Sequence, residues 1–174
     1  DRKQVYLIIR VTEGPIYKLN GYQLTGNVLV SQTKLQKLLR PLQRGQIFSR
    51  KNVVAVEEGI KKALADFGYV FATVNTLPQI DDKNKTVFLV FYVDPGHRVY
   101  VRHIHIDGNL KTQDLVFRRL FRQQEASLFS QSDLKMSLKQ LNLSGFLEGE
   151  PQLTPVPIAG YSDQVDLDVH LNEA

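Results

Sequence analysis

The chain repeats itself at a spacing of 78 to 82 residues, and that repetition limits what it can fold into. Val5-x-Leu7-x-Ile9-x-Val11-x-x-Gly14 returns as Val87-x-Leu89-x-Phe91-x-Val93-x-x-Gly96, and again as Val165-x-Leu167-x-Val169-x-Leu171. Gly26-Asn27 returns as Gly108-Asn109, and Phe48-Ser49 as Phe129-Ser130. A unit copied in this way is a scaffold, and arrays of small repeats display binding surfaces. The 174 residues read as two units of roughly 80 residues, each large enough for a thin core of its own.

Period-two alternation over residues 4–13 and from Tyr17 to Thr25 predicts strands. The second of these slips phase between Leu19 and Tyr22, as its copy does between Val101 and Ile104. A shared slip predicts a bulge near Asn20-Gly21 and near Arg102-His103. Leu35, Leu38, Leu39 and their copies Phe117, Leu120, Phe121 mark one face of a short helix. A longer helix follows Phe48-Ser49 with Val53, Val56, Ile60, Leu64 and Phe67 buried, and ends at Gly68. Its copy opens on Ser130-x-x-Asp133, a capping pattern, and ends at Gly145. Strands from Tyr69 to Leu77 and from Phe146 to Val156 come next, held to a sheet edge by Pro78 and by Pro151, Pro155 and Pro157.

Each unit is thus β-α-α-β-β, an α+β fold with a three-stranded sheet covered on one face by two helices. The boundaries fall at 1–14 (the closing strand of a preceding repeat), 15–95 and 96–174. The expected cores hold Phe48, Ile60, Leu64 and Leu89 in the first unit, and Leu120, Phe121, Leu134, Leu141 and Leu167 in the second. The opening strand, residues 4–13, lacks the rest of its unit and is expected to splay from the first unit or to add to an edge of a neighbouring molecule. The chain begins inside a strand pattern and reads as a fragment of something longer.

No cysteine is present, so thiol chemistry, disulfides and Cys-based zinc sites are excluded. His97, His103 and His105 cluster without zinc-site spacing, and the sequence predicts neither metal nor cofactor. No nucleophile elbow, phosphate loop or His-Glu-x-x-His pair occurs, so no enzyme is expected. No apolar run reaches the roughly 18 residues that span a bilayer. The net charge of +4 is concentrated in Lys34, Lys37, Arg40, Arg44, Arg50 and Lys51, a stretch free of acids. A solvated helix face and a docking surface for an acidic partner both fit it.

The element order resembles POTRA domains, together with Leu64-x-x-Phe-Gly68-Tyr, Tyr100-Val-Arg102-x-Ile104-x-Ile-x-Gly108-Asn109, Arg118-Arg-x-x-Arg122-Gln and Asp163-Gln-Val-Asp166. The likeness covers essentially the whole chain. It is closest to the penultimate and last POTRA repeats of an outer-membrane β-barrel assembly factor. It implies a periplasmic scaffold in an outer-membrane protein of a Gram-negative bacterium, followed by a membrane barrel. The implied partners are Bam-type lipoproteins, BamD-like at the last repeat, and unfolded outer-membrane proteins taken up by β-augmentation. By motif position the lipoprotein surface is Arg118, Arg119, Arg122 and Glu125, all expected to be solvent-accessible, and the client edge is Tyr69, Phe71, Thr73 and Asn75. Ala126 stands where the family commonly has glycine. A related secretion transporter is the alternative within the family. A KH-like nucleic-acid module is a third reading, although neither helix-helix segment has the Gly-x-x-Gly clamp, and no nucleic-acid partner is expected.

Overall fold

The computed structural model describes residues 14–174; the strand expected over residues 4–13 lies outside the described residues. Two sheets form, each with its own helices. In the first unit β1 (Lys18–Gly26), α1 (Gln32–Leu38), α2 (Arg50–Ala65), β2 (Thr73–Asp81) and β3 (Thr86–Asp94) follow one another. The sheet order is β1-β3-β2, with β1 parallel and β2 antiparallel to the central β3. The second unit repeats this with β4 (Tyr100–Asp107), α3 (Asp114–Arg118), α4 (Gln131–Leu143), β6 (Gln152–Ile158) and β7 (Tyr161–His170). It adds a two-residue strand, β5 (Ser127–Leu128), giving the order β5-β4-β7-β6. The first unit keeps only an isolated bridge, Lys18 to Ile47, in that place.

The two central strands form because their residues alternate, and one row of each is buried. Val87, Leu89, Phe91 and Val93 pack under α2, whose Val56, Ile60 and Leu64 lie at helical spacing and have no solvent exposure. Burying a side chain of this kind contributes about 1.5–3 kcal/mol. Val165, Leu167 and Val169 pack likewise against Phe117, Phe129, Leu134 and Leu141. The phase slips are real: the β1 register shifts between Leu19 and Gly21, and that of β4 between Val101 and Ile104. Ser130 caps α4 by accepting the Asp133 amide, whereas Ser49 caps nothing and Asn52 instead donates its side-chain amide to Pro41 O.

Three expectations need correction. Phe67 is 48% exposed, because α2 ends at Ala65 and the chain has left the buried face. Phe48 and Leu120 are only partly buried at the rims of their cores. The edge strands also start late, at Thr73 and Gln152 in place of Tyr69 and Phe146. The first delay has a packing cause. Tyr69 and Val70 serve the seam between units: Val70 packs into the core of the second unit, and the Tyr69 ring lies under the Arg98 guanidinium.

That seam is made of short contacts. Gly68 O accepts the Val99 amide at 2.8 Å, and a Cβ at Gly68 would come within 2.6 Å of Leu128 Cδ1. Asp66, the residue after α2, reaches across with both oxygens engaged. Its Oδ1 accepts from the backbone and hydroxyl of Ser132 at 2.9 and 2.7 Å, and its Oδ2 from Lys34 Nζ at 3.3 Å. Ser132 is the second residue of α4, so the first unit supplies part of the N-terminal cap of the second unit's long helix.

Candidate docking surface

The surface builds outward from the bulge in β4. Where the ladder skips, His103 and Ile104 have backbone amides with no strand partner. Two carboxylates take them: Asp166 Oδ1 accepts from His103 N at 3.1 Å, and Glu125 Oε1 from Ile104 N at 2.8 Å. Each carboxylate is held by an arginine. Arg102 grips Asp166 bidentately at 3.0 and 2.6 Å. Arg118 donates to Glu125 Oε1 at 3.1 Å, to Asp114 Oδ2 at 2.5 Å and to Ile104 O at 2.7 Å. A shallow concavity of about 190 Å³ lies over this junction, lined by Ile104, Arg118, Phe121, Gln123, Gln124 and Glu125.

Arg118 and Glu125 are therefore tied to the β4 backbone, and Arg118 is half-buried while Glu125 is exposed. Distant backbone partners leave no trace in local spacing, so this tie is invisible to sequence reading. Glu125 Oε2 accepts no hydrogen bond among the described residues and is free for a partner. Arg119 is exposed and without an ion-pair partner among the described residues, and exposed Arg122 lies 3.6 Å from Asp133. Arg118 and Glu125 thus frame the concavity, whereas Arg119 and Arg122 are not among its lining residues.

Both frame carboxyls sit below their ordinary range. The Ile104 amide is the main cause for Glu125, with the Arg118 charge and hydrogen bond behind it; the Arg102 hydrogen bond is the main cause for Asp166. Glu173 is lowered too, chiefly by the Thr112 hydroxyl. A carboxylate lowered on folding stabilises the protein above its unfolded pKa, and that contribution vanishes as pH falls through its folded pKa. The first unit has one lowered carboxyl, Asp81 in the β2–β3 turn. Acidification from about pH 5 downward should therefore weaken the second unit more than the first, a difference that hydrogen exchange would resolve. Equal losses would contradict the role given to these carboxylates.

Ala126 adopts φ +55°, the left-handed region that its Cβ disfavours, so that its amide can reach Val101 O at 2.8 Å. The glycine expected from the family pattern suits this turn. Ala126→Gly should raise stability by about 1 kcal/mol, seen as a higher denaturation midpoint. A lower midpoint would mean that unfolded-state entropy outweighs the relieved strain.

The expected client edge is only half a strand. Thr73 and Asn75 lie on β2, while Tyr69 and Phe71 precede it in the seam and the turn that follows. β2 is an outer strand, as is β6. Pro155 and Pro157 share one phase of β6, and since neither can donate to β7, that phase faces outward and blunts the edge. β2 carries one proline, Pro78, and is the more open edge. The basic run is divided: Lys34 turns into the seam and pairs with Asp66, and Arg50 lines the groove between α2 and β2. Lys37, Arg40, Arg44 and Lys51 are exposed. No group of His, Asp and Glu among the described residues is placed to hold a metal ion.

The POTRA family, described as a surface antigen variable number repeat, matches residues 17–96 and again 99–174. The chain belongs to the POTRA family. It is 33% identical over 174 residues to the outer membrane protein assembly factor BamA of Neisseria meningitidis serogroup B, covering 99% of this chain and 22% of that protein. The BamA of Buchnera aphidicola is 33% identical over 141 residues, covering 81% of this chain and 23% of that protein. The chain thus spans less than a quarter of the curated relatives it matches. A crystal structure of Haemophilus influenzae BamA POTRA3-5 superposes with a TM-score of 0.81 at 33% identity, covering 90% of this chain and 61% of that one. The BamA of Haemophilus ducreyi lacking POTRA domains 1–3 gives a TM-score of 0.75 at 32% identity, over 91% of this chain and 30% of that one. The expected fold, two POTRA repeats in tandem, is the one observed.

Proposed function

We propose that this chain is the penultimate and last POTRA pair of an outer-membrane protein assembly factor, a non-catalytic periplasmic scaffold ahead of a membrane barrel. One observation carries this reading: 33% identity to a BamA over 99% of the chain, with residues 17–96 and 99–174 each matched as a repeat. The match over 91% of this chain to a BamA that lacks POTRA domains 1–3 supports the position of the two repeats, and with it the boundaries near residues 15–95 and 96–174.

In this reading the corner at Arg118, Arg119, Arg122 and Glu125 docks a BamD-like lipoprotein. The bulge clamp presents Glu125 Oε2 rigidly, and Arg119 and Arg122 form the rim. Rim charges govern steering and register, while frame residues govern whether the surface exists. The β2 edge accepts extended segments of unfolded outer-membrane proteins through backbone hydrogen bonds, which demand no fixed sequence.

Binding of a BamD-like lipoprotein tests the proposal in calorimetric titrations. Arg119→Glu should weaken binding roughly tenfold without moving the melting temperature, because Arg119 has no ion-pair partner among the described residues. Glu125→Lys should abolish binding and also lower the melting temperature, since it places a cation beside Arg118 and releases the Ile104 amide. Unchanged affinity in Arg119→Glu would remove the rim from the site. Wild-type affinity in both variants would sink the docking assignment.

A further inference from the structure

A cavity lies away from this corner, along the seam between the repeats. It is an open groove of about 640 Å³ that draws on both units. A second hollow of about 670 Å³ shares Ser132, Lys135 and Leu138 with it and prolongs it along α4. The floor is apolar and incompletely covered: Leu38 of α1, Leu138 of α4, and Leu153 and Pro155 of β6 are all half-buried. Cations border it. Lys62 stands on the α2 wall, and Lys135 and Lys139 stand one turn apart on α4. All three are exposed and have no ion-pair partner among the described residues. The two acids of the lining change little. Asp66 is already taken by Ser132 and Lys34, and Glu150 lies at the far end.

We infer that this groove docks an acidic amphipathic helix of a partner protein. The free charge fixes the sign: three unpaired ammonium groups on both walls call for carboxylates along both flanks of the ligand. The floor calls for an apolar stripe between those flanks, the arrangement of a helix laid in a groove. The adjacent strand excludes the other common mode. A ligand strand would have to pair with β6, whose outward phase holds Pro155 and Pro157 and offers few donors. A helix satisfies its own backbone and needs only side-chain contacts. The seam makes the site lasting, because the Asp66, Gly68 and Val70 contacts hold the two walls at a fixed separation. Lysines dispersed along an elongated trough suit a helix better than a lipid headgroup, which gathers its charge at one point. The inference concerns a surface separate from Glu125 and from β2, so it stands whether or not the reading above does.

The test uses the whole 174-residue chain and a fluorescein-labelled synthetic helix of about 18 residues, with leucines at i, i+3 and i+7 and glutamates on both flanks. Anisotropy should show saturable binding that weakens as salt rises. Lys135→Glu combined with Lys139→Glu should lower affinity at least tenfold, roughly, with an unchanged melting temperature. Amide shifts on binding should fall on α4 and on Leu153 to Pro155. Four results would overturn the inference: no saturable binding, equal affinity in the double variant, equal binding of the analogue with lysine in place of glutamate, or shifts centred on β2 or Glu125. Phosphatidylglycerol vesicles provide the remaining arm. Lysine-dependent binding to vesicles without binding to the peptide would reassign the groove to a membrane surface.

Discussion

Gly108→Ala will unfold the second repeat and leave the first one standing. Gly108 directly follows β4 at φ +82°, and a Cβ there would lie 1.9 Å from the carbonyl oxygen of Leu171. Nothing flexible can yield, because the obstacle is the backbone at the end of β7. The same approach recurs in the first repeat, where a Cβ at Gly26 (φ +86°) would lie 2.2 Å from Val93 O. Hydrogen bonds fix both closures: Asn27 N to Val93 O at 3.0 Å, and Leu171 N to Asp107 O at 2.9 Å. The repeated Gly-Asn is therefore the place where first and third strands close on each other. Strain and collision together should cost more than about 3 kcal/mol, most of what a unit this small possesses. Gly145→Ala is the control, with φ +76° and open space around it; it should cost about 1 kcal/mol. Denaturation followed residue by residue should show protection lost from β4 to β7 but kept in α2 and β3. Comparable costs for the two substitutions would refute the closure argument.

Phe117→Ala should have the next largest effect. Phe117 has no solvent exposure and meets Phe146 edge to face at 6.1 Å. It is the one buried residue of α3, a five-residue helix with too few backbone bonds to persist by itself. Truncation should cost about 3–5 kcal/mol through lost transfer energy and the cavity left behind. The functional consequence is larger than that of a generic core change. Arg118 is the next residue, and its three bonds to Asp114, Glu125 and Ile104 O require α3 to be in place. The lipoprotein binding proposed for this corner should therefore fall even at temperatures where the second repeat remains folded. Lost stability with full retention of binding would show that α3 does not position the corner.

Much of the fold is legible because periodicity is local. Alternation marks β3 and β7, helical spacing marks α2 and α4, and a one-residue slip announces both bulges. What escapes reading is decided across distance. Tyr69 and Phe71 look like the start of an edge strand, but the second repeat claims Val70 and the chain turns before β2. Arg118 and Glu125 look like free surface charge, but each closes an amide or a carbonyl of β4. Asp66 looks like an ordinary residue after a helix, and its partner Ser132 lies 66 positions away. The groove beside it escapes reading for the same reason: its walls come from α1, α2, α4 and β6.

The Asp66 contact also imposes a direction on folding. Two amides in the first turn of α4 find acceptors in different repeats: Asp133 N donates to the local Ser130, and Ser132 N to Asp66 of the finished first repeat. In repeat arrays a neighbour's interface is part of each unit's own stability. A chain made from its N-terminus completes α2, and with it Asp66, well before α4 exists. The earlier repeat is then a template with the later helix's cap already waiting on it. In the reverse order, α4 would form with its Ser132 amide still waiting for an acceptor.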